Sequence, residues 1–275
     1  MTETEVGYGI VGAGRLGSAI AGRLAAGGAT GLICSRRPQA AAALAEHWGW
    51  RAVPGLGQLV SHSELVLLCV PDAELSPLVP ELARLAVWKG RVAAHCSGSQ
   101  GLALLRPLAQ RGGATGVFHP LAPVPDGDPR CLEGTFVSIE AEPTARPALR
   151  ELASRLGCRV IELDGPDRSL YHAAAVFAGV LPVLLERLAE RLGHLASPNA
   201  DLTEGLRALH LASAHNVGRL GPQLGLSGPQ QRQDQATVRS HLEALDRVDP
   251  VLAQLYTNIS EAARTVPADP TEAGG

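Results

Sequence analysis

A glycine-rich turn directly after the first apolar strand limits this chain to few folds. The apolar run Val6 to Val11 is followed by the hexapeptide Gly12-Ala13-Gly14-Arg15-Leu16-Gly17, and residues Arg15 to Ala26 have the pattern of a helix. In such a turn the first glycine permits the sharp bend, the second lets a pyrophosphate approach the backbone, and the third lets the helix pack closely on the sheet. The N-terminal N–H groups of the helix favour a phosphate. We therefore predict a dinucleotide-binding site at these six residues, in preference to a purely structural turn.

The residues that follow the second strand predict which dinucleotide binds. The apolar run Gly31 to Cys34 ends in Ser35-Arg36-Arg37, at the spacing of about 20 residues where the ribose is recognised. An NAD enzyme usually carries Asp or Glu there, to accept a hydrogen bond from the 2′-hydroxyl. A hydroxyl and two guanidinium groups suit the 2′-phosphate of NADP instead. We predict NADP as the cofactor; the alternative is that the two arginines form a solvated surface pair.

The composition argues against several classes of partner. The formal net charge is −3 and no run of Lys or Arg exceeds two residues, which argues against a nucleic-acid surface. The N-terminus is acidic, without the basic start of a secretory signal, and we find no apolar stretch of about 20 residues, so we expect no membrane span. The cysteines are widely spaced and include no C-x-x-C pair, which predicts buried thiols in a reducing cytoplasm.

Strand and helix patterns alternate through the first part of the chain, and only helices follow. The alternation predicts a doubly wound α/β sheet of the Rossmann type. Apolar residues then recur at three- and four-residue steps from Leu170 to Leu195, which predicts one long helix kinked by Pro182. We therefore assign residues 1–164 to an NAD(P)-binding domain, residues 165–266 to an all-α substrate and dimerisation domain, and residues 267–275 to a disordered tail.

Part of this long helix is apolar on every side. Between Ala173 and Leu185 the faces outside the main stripe are apolar too. Such a helix should be enclosed by neighbouring elements. Because the helical domain is small, we predict that a second subunit helps to enclose it and that the protein is a homodimer through its C-terminal helices.

The turns that follow the strands define one candidate site. In open α/β sheets the ligand lies beyond the carboxyl ends of the strands. The turns at those ends are Gly12–Gly17, Ser35–Arg37, Val70-Pro71-Asp72, His95–Ser99 and His119-Pro120. We expect Val70-Pro71-Asp72 and Cys96-Ser97-Gly98 to approach the nicotinamide, because small residues allow backbone to lie close to a flat ring. Asp72 is alternatively an acid or the N-cap of the helix that follows.

His119 and His172 are the candidate proton donors. Reduction of a C=O or C=N bond by hydride leaves an atom that needs a proton, and imidazole titrates near working pH. His119 follows a strand and His172 opens the helical part, so we expect both at the same cleft. The alternative for each is a core or capping histidine, and we assign His95 to that class.

Other chemistries find little support in the sequence. Lys89 is the only lysine and lies in a polar turn, so lysine catalysis is nearly excluded. No H-E-x-x-H or clustered Cys/His spacing predicts a metal. Ser97 lacks the G-x-S-x-G frame of a nucleophile turn; we keep Ser97 among the candidate catalytic residues because of its place in the predicted cleft.

Several segments together resemble one family. They are the glycine turn, His95-Cys96-Ser97-Gly98, Phe118-His119-Pro120-Leu121, Tyr171-His172-Ala173-Ala174-Ala175-Val176-Phe177-Ala178 and Gly228-Pro229. The chain is similar to the Rossmann-like proteins that carry a C-terminal domain of unknown function 2520. That resemblance implies an NADP domain with a helical dimerising domain, built like pyrroline-5-carboxylate reductase, ketopantoate reductase and the β-hydroxyacid dehydrogenases.

The chain departs from the family pattern at two positions. Arg168 stands where relatives often carry Lys, and Val180 stands where they often carry Asn. A later segment, Gly228 to Asp234, retains Arg232 and Asp234. The resemblance thus implies that Arg168 or Arg232 holds a substrate carboxylate, while the loss of the Lys/Asn pair argues against the usual ketoacid chemistry.

These observations predict an NADPH-dependent oxidoreductase that acts on a small carbonyl compound. A 2-oxo acid such as ketopantoate is one candidate substrate. An imine reductase of the pyrroline-carboxylate type and a non-catalytic NADP-binding regulator are the alternatives. No metal, nucleic acid or membrane partner is expected.

Overall fold

The computed structural model describes residues 6–229 and 231–265, and the chain divides into two compact units. The first unit is Met1–Pro182 and the second is Val183–Gly275. The predicted tail, residues 267–275, lies outside the described residues. The assignment of residues 165–266 to a substrate and dimerisation domain stays a prediction.

The first unit is built on one eight-stranded sheet, which has the predicted α/β fold class. The strands are β1 (Val6–Val11), β2 (Gly31–Cys34), β3 (Arg51–Ala52), β4 (Ser63–Leu68), β5 (Val92–His95), β6 (Ala114–Pro120), β7 (Phe136–Ala141) and β8 (Arg159–Glu162). Their order is β3-β2-β1-β4-β5-β6-β7-β8. Strand β1 pairs in parallel with both β2 and β4, so the order reverses beside β1.

The last two strands run against the other six. Strand β7 pairs antiparallel with β6 (His119 opposite Ser138), and β8 pairs in parallel with β7. The segment between β6 and β7 contains a short 3-10 helix, Pro129–Leu132, instead of an α-helical crossover. A parallel neighbour needs such a crossover, so the chain returns in the opposite direction. The sheet is therefore mixed, which the strand pattern alone does not reveal.

Helices cover both faces of the sheet. They are α1 (Arg15–Ala26), α2 (Pro38–Trp48), α3 (Leu56–Ser61), α4 (Asp72–Leu85), α5 (Arg106–Ala109) and α6 (Arg146–Leu156), and a further helix, α7 (Arg168–Gly179), follows β8. One core contains residues of α1, α2 and α6, such as Ile20 and Leu152; the other contains residues of α3, α4 and α5, such as Leu75 and Leu108. Two buried faces explain why the central strands are continuous apolar runs.

The predicted long helix is two helices. Helix α7 ends at Gly179 and α8 (Leu181–Ala196) begins two residues later, next to Pro182, where proline removes a backbone donor. The expectation that this segment is enclosed does not hold within the single chain. Leu170, Phe177 and Val183 are 70%, 71% and 59% exposed.

The segment α7–α8 also corrects the expectation that no stretch is apolar enough to cross a membrane. An 18-residue stretch within Arg168–Ala196 meets that criterion by length and composition, with a mean hydropathy of 1.5. One apolar segment of this kind is weak evidence for a membrane, because core helices of soluble proteins meet the same criterion. At its N-terminus, Arg168 binds Glu140 of β7.

Within its described residues, the second unit is helical. Helix α8 continues into it and is followed by α9 (Thr203–Gly225), α10 (Gln235–Val248) and α11 (Pro250–Thr265). Helix α9 is kinked at Gly221, where φ is +78°. Asp234 caps α10 by accepting a hydrogen bond from the Thr237 N–H at 3.0 Å.

Candidate active site

Two of the three motif glycines are required by close backbone contacts. A Cβ atom on Gly12, whose φ is +113°, would lie 2.2 Å from the Cys69 carbonyl oxygen. A Cβ atom on Gly17 would lie 2.2 Å from the carbonyl oxygen of Gly12. These contacts hold the turn after β1 against the end of β4 and hold α1 close to the sheet. The turn therefore lies at the strand-order reversal, where ligands of open α/β sheets bind.

Gly14 faces open space at the start of α1. A Cβ atom there would meet no atom within 4 Å, and the residue is the N-cap of α1 without any side-chain capping bond. The neighbouring turn residues Ala13, Arg15 and Leu16 are all at least partly exposed. The first N–H groups of α1 are thus free to bind an anion, to which the helix dipole adds a favourable field. The turn Gly12–Gly17 and these N–H groups, together called the glycine cradle, fit the pyrophosphate of a dinucleotide.

The end of β2 carries the residues predicted to bind a 2′-phosphate. The Arg37 N–H donates to Ser35 Oγ at 3.3 Å, and the Arg36 side chain is 77% exposed. Arg36 Nη1 lies 2.7 Å from a carboxylate oxygen of Glu74, in the first turn of α4. The Glu74 carboxylate therefore competes with the predicted 2′-phosphate for the Arg36 guanidinium.

His119 is held at the carboxyl end of β6 by two hydroxyl groups. Its Nδ1 lies 2.8 Å from Tyr171 Oη, and the Tyr171 hydroxyl donates to Ser138 Oγ at 2.8 Å. Burial lowers the pKa of His119 to about 4, with further lowering by His172 and Arg168. The expectation that the His119 imidazole titrates near neutral pH is therefore wrong: His119 is neutral there, because burial disfavours its charged form.

His172 approaches His119 across Gly98. The two ring centroids are 6.0 Å apart. A Cβ atom on Gly98 would lie 2.5 Å from His172 Nδ1 and 2.8 Å from His119 Nε2, so only glycine allows both rings to come this close. His172 Nδ1 is buried and has no hydrogen-bond partner among the described residues. The structure thus brings together the two histidines that the sequence places in one cleft.

Arg168 forms an ion pair in the interior of the first unit. Its guanidinium binds the Glu140 carboxylate on β7 through Nη2 and, at 2.9 Å, through Nε. The two side chains are only 8% and 15% exposed. Glu140 thus neutralises the positive charge of Arg168, which was expected to bind a substrate carboxylate. Nη1 remains buried without a partner in the described part of the chain.

The turn after β5 is fixed by its own polar groups. His95, which is fully buried, accepts a hydrogen bond from the Ser97 N–H, and its Nε2 lies 3.3 Å from the Gly101 carbonyl oxygen. Ser97 Oγ accepts hydrogen bonds from the N–H groups of Ser99 and Gln100. His95 and Ser97 therefore shape the turn that carries Gly98.

Asp72 binds this turn and is not a capping residue. Pro71 is the N-cap of α4, Asp72 is the first residue of the helix, and no side chain caps it. The Asp72 carboxylate accepts a hydrogen bond from the Ser99 hydroxyl. The alternative in which Asp72 is an N-cap is therefore wrong. Val70 lies beside the glycine turn, with its Cγ1 atom 3.2 Å from the Cβ position of Gly12.

Val180 and Arg232 are two further residues that the sequence singles out. Val180 is the C-cap of α7 and is half exposed. Arg232 is exposed in the second unit, in the loop before α10. Near it, Asp234 binds Thr237 and caps α10, so the retained Asp234 has a structural role.

Ser138, Glu140 and the hydroxyl of Tyr171 are parts of the site that the sequence motifs do not indicate. A signal for the first two exists in β7, where Ser138 and Glu140 interrupt an apolar strand at alternate positions. Alternate residues share one face of a strand. Helix α7 matches this spacing, because Arg168 and Tyr171 are one turn apart and bind Glu140 and Ser138 in that order. Across the described residues, no group of three or more potential metal ligands is found.

The glycine cradle at the reversal of a doubly wound sheet defines a Rossmann-type dinucleotide-binding fold. Residues 1–120 match the model of the Rossmann-like domain, and residues 135–263 match that of the domain of unknown function (DUF2520). The chain therefore contains a Rossmann-like domain followed by a DUF2520 domain, as the sequence motifs predict. A comparison with curated proteins gives no match.

Solved structures share this fold at low sequence identity. BF3122 from Bacteroides fragilis, provisionally named an NADP oxidoreductase, is 23% identical with a TM-score of 0.77, and 94% of this chain and 97% of that chain align. TM1727 from Thermotoga maritima is 22% identical with a TM-score of 0.76, over 94% and 98% of the chains. A reductive aminase from Aspergillus terreus in complex with NADPH and ethyl-5-oxohexanoate is 19% identical with a TM-score of 0.64, over 96% and 89%.

Proposed function

We propose that this protein is an NADPH-dependent oxidoreductase that transfers a hydride to a small C=O or C=N compound. The observation that carries the proposal is the pair His119 and His172, whose nitrogens converge over Gly98 at the carboxyl edge of the sheet that also holds the glycine cradle. Converging polar side chains at this edge are typical of a substrate site in an open α/β fold.

The choice of NADPH rests on the end of β2. Ser35, Arg36 and Arg37 offer a hydroxyl and two guanidinium groups where an NAD enzyme places a carboxylate. The solved reductive aminase with the same fold contains NADPH. Gly14 and the first turn of α1 would hold the pyrophosphate.

Each group has a distinct part in the proposed reaction. NADPH, when bound, supplies the hydride. His119 and His172 hold the reacting heteroatom of the substrate, and the turn Ser97–Gly98 provides a flat backbone surface beside it. The Arg168–Glu140 pair anchors α7, which carries His172, on β7.

Two substrate classes stay in the proposal. A small carbonyl compound, such as the 2-oxo acid ketopantoate, would need a guanidinium for its carboxylate and a proton for its oxygen. Arg168 is neutralised by Glu140, and His119 is uncharged near neutral pH. A protonated imine already has its proton, and a simple cyclic imine without a carboxylate needs no guanidinium. These features favour the imine.

The test is a substrate screen with purified protein and NADPH. We expect NADPH absorbance to fall with a small cyclic imine faster than with ketopantoate, and we expect no change in the Gly14→Asp variant, whose side chain fills the cradle. A ketopantoate rate above the imine rate would reverse the order of the two classes. Tight NADPH binding without turnover of any oxo or imino compound would favour the non-catalytic regulator.

The proposed enzyme is a homodimer that forms through its helices α7, α8 and α9. Large apolar side chains on α7, α8 and α9 are exposed in the single chain, Leu209 and Leu211 of α9 among them at 64% and 69%. Apolar surface of this extent marks an interaction site, and the amphipathic helices of two copies would cover each other. The five thiols, all free in the structure, suit a reducing cytoplasm.

A further inference from the structure

The Tyr171 hydroxyl connects His119 to Ser138 and has a single proton to donate. Its oxygen lies 2.8 Å from both His119 Nδ1 and Ser138 Oγ. The angles at the two hydroxyl groups allow Tyr171 to donate to Ser138. When Tyr171 donates this proton to Ser138, the hydrogen bond between Tyr171 and His119 uses a proton on Nδ1 of His119.

The other nitrogen of His119 is then bare. Burial and the neighbouring His172, Arg168 and His95 keep the pKa of His119 at about 4, in spite of the opposing charge of Asp72. A neutral imidazole has one proton, and in this arrangement it is on Nδ1. Burial also raises the pKa of the Tyr171 phenol, which keeps its proton. His119 Nε2, which faces the Gly98 side, has no partner among the described residues.

We propose that Tyr171 and Ser138 are positioning residues that hold His119 as its Nδ1–H tautomer, so that Nε2 accepts a hydrogen bond from the reacting atom of the substrate. The claim about the substrate rests on the proposed function, whereas the claim about the His119 tautomer does not. An acceptor selects a substrate that presents an N–H group, which a protonated imine does and a carbonyl oxygen does not.

The reaction of such a substrate balances without a proton from the protein. A new C–H bond forms from the hydride at the imine carbon, and the electron pair of the C=N bond moves to nitrogen. The iminium becomes a neutral amine and the dinucleotide is oxidised. His119 Nε2 keeps its hydrogen bond to the same N–H throughout. A neutral acceptor is therefore sufficient, in agreement with the low pKa of His119.

The tautomer is measured directly by nitrogen-15 NMR of the imidazole rings in the purified, full-length protein near neutral pH. The resonances of His119 are assigned by their loss in the His119→Gln variant. We expect a protonated Nδ1 and an unprotonated Nε2. A proton on Nε2 in the wild-type protein would overturn the proposal.

Three variants separate the hydroxyl chain from a general structural effect. Tyr171→Phe removes the bridge, and we expect His119 to become a mixture of both tautomers. Ser138→Ala removes the far acceptor and serves if Tyr171→Phe does not fold; we expect the same mixture. Ser63→Ala is the matched control, because Ser63 is a buried serine of β4 whose hydroxyl donates to the Leu59 carbonyl oxygen and does not contact Tyr171. An unchanged His119 spectrum in Tyr171→Phe and Ser138→Ala would contradict the positioning role.

A kinetic measurement separates this inference from the proposed function. In a protein that reduces imines, we expect Tyr171→Phe to lower kcat/KM about tenfold, the effect of one weakened hydrogen bond, with the dissociation constant of NADPH unchanged. If no substrate is reduced, the function fails while the tautomer is still read by NMR. A predominant Nδ1–H tautomer together with a carbonyl preference would overturn only the claim about substrate class.

Discussion

The guanidinium of Arg168 binds the carboxylate of Glu140 between the first turn of α7 and the strand β7, with both side chains almost fully buried. A buried ion pair that loses one partner leaves an uncompensated charge in a medium of low dielectric constant. We therefore expect Arg168→Met and Glu140→Gln each to lower the free energy of unfolding by about 3 kcal/mol, as measured by chemical denaturation.

The double variant Arg168→Met/Glu140→Leu is the control for this pair. Because it leaves no buried charge, we expect it to be more stable than either single variant. If the Arg168→Met variant keeps wild-type stability but loses affinity for a substrate carboxylate, Arg168 is a binding residue and the structural assignment is wrong.

The three motif glycines should respond differently to alanine. Gly14→Ala adds a methyl group in open space, so we expect wild-type stability and at least a tenfold rise in the dissociation constant of NADPH, measured by calorimetry. Gly12→Ala would force a side chain against the Cys69 carbonyl at a positive φ, so we expect it to destabilise the protein. Equal stability of the two variants would contradict the geometry of the turn.

The ion pair between Arg36 and Glu74 should modulate the affinity for NADPH. We expect the Arg36→Ala/Arg37→Ala variant to lose NADPH binding, because the 2′-phosphate loses both guanidinium groups. Glu74→Gln removes the competing carboxylate, and we expect NADPH to bind about threefold more tightly, in the range of an exposed ion pair. NADH is the control ligand: an equal gain for NADH would show that Glu74 does not act through the 2′-phosphate.

The lowered pKa of His119 predicts a pH dependence of stability. The pKa is about 4 in the folded chain against an ordinary value of 6.5, so between these values the unfolded chain binds more protons. Stability linked to His119 is thus constant above pH 6.5 and decreases as the pH falls towards 4. We expect a His119→Gln variant to lack this part of the acid sensitivity in denaturation curves. An NMR titration of His119 with a midpoint near 6.5 would contradict the burial argument.

The exposed apolar face of α7 predicts self-association. We expect the wild-type protein to sediment as a dimer and the Phe177→Asp variant to shift towards the monomer, because it places a charge in a surface that should be buried. Arg191→Asp, at an exposed polar position of α8, is the matched control and should remain a dimer. A monomeric wild-type protein would remove the dimer from the proposal.

Local patterns in the sequence are sufficient to place the nucleotide edge of the sheet. The glycine spacing, the apolar strands and the residues that follow them predict the Rossmann fold and the turns at its carboxyl edge. This succeeds because parallel strands separated by helices bring their carboxyl ends to one edge. The same logic brings His119 to that edge, next to the turn that carries Gly98.

The sequence by itself therefore determined the fold class, the glycine cradle and the strand ends that face it. Only the tertiary structure decided what His119 and Arg168 bind, because their partners are distant in the chain: Tyr171 is 52 residues from His119, and Glu140 is 28 residues from Arg168. Those contacts depend on the reversal of β7 and on the face that α7 turns towards it. Periodicity predicts that a helix has an apolar face, but it does not specify which of the other side chains of the helix will contact a given strand.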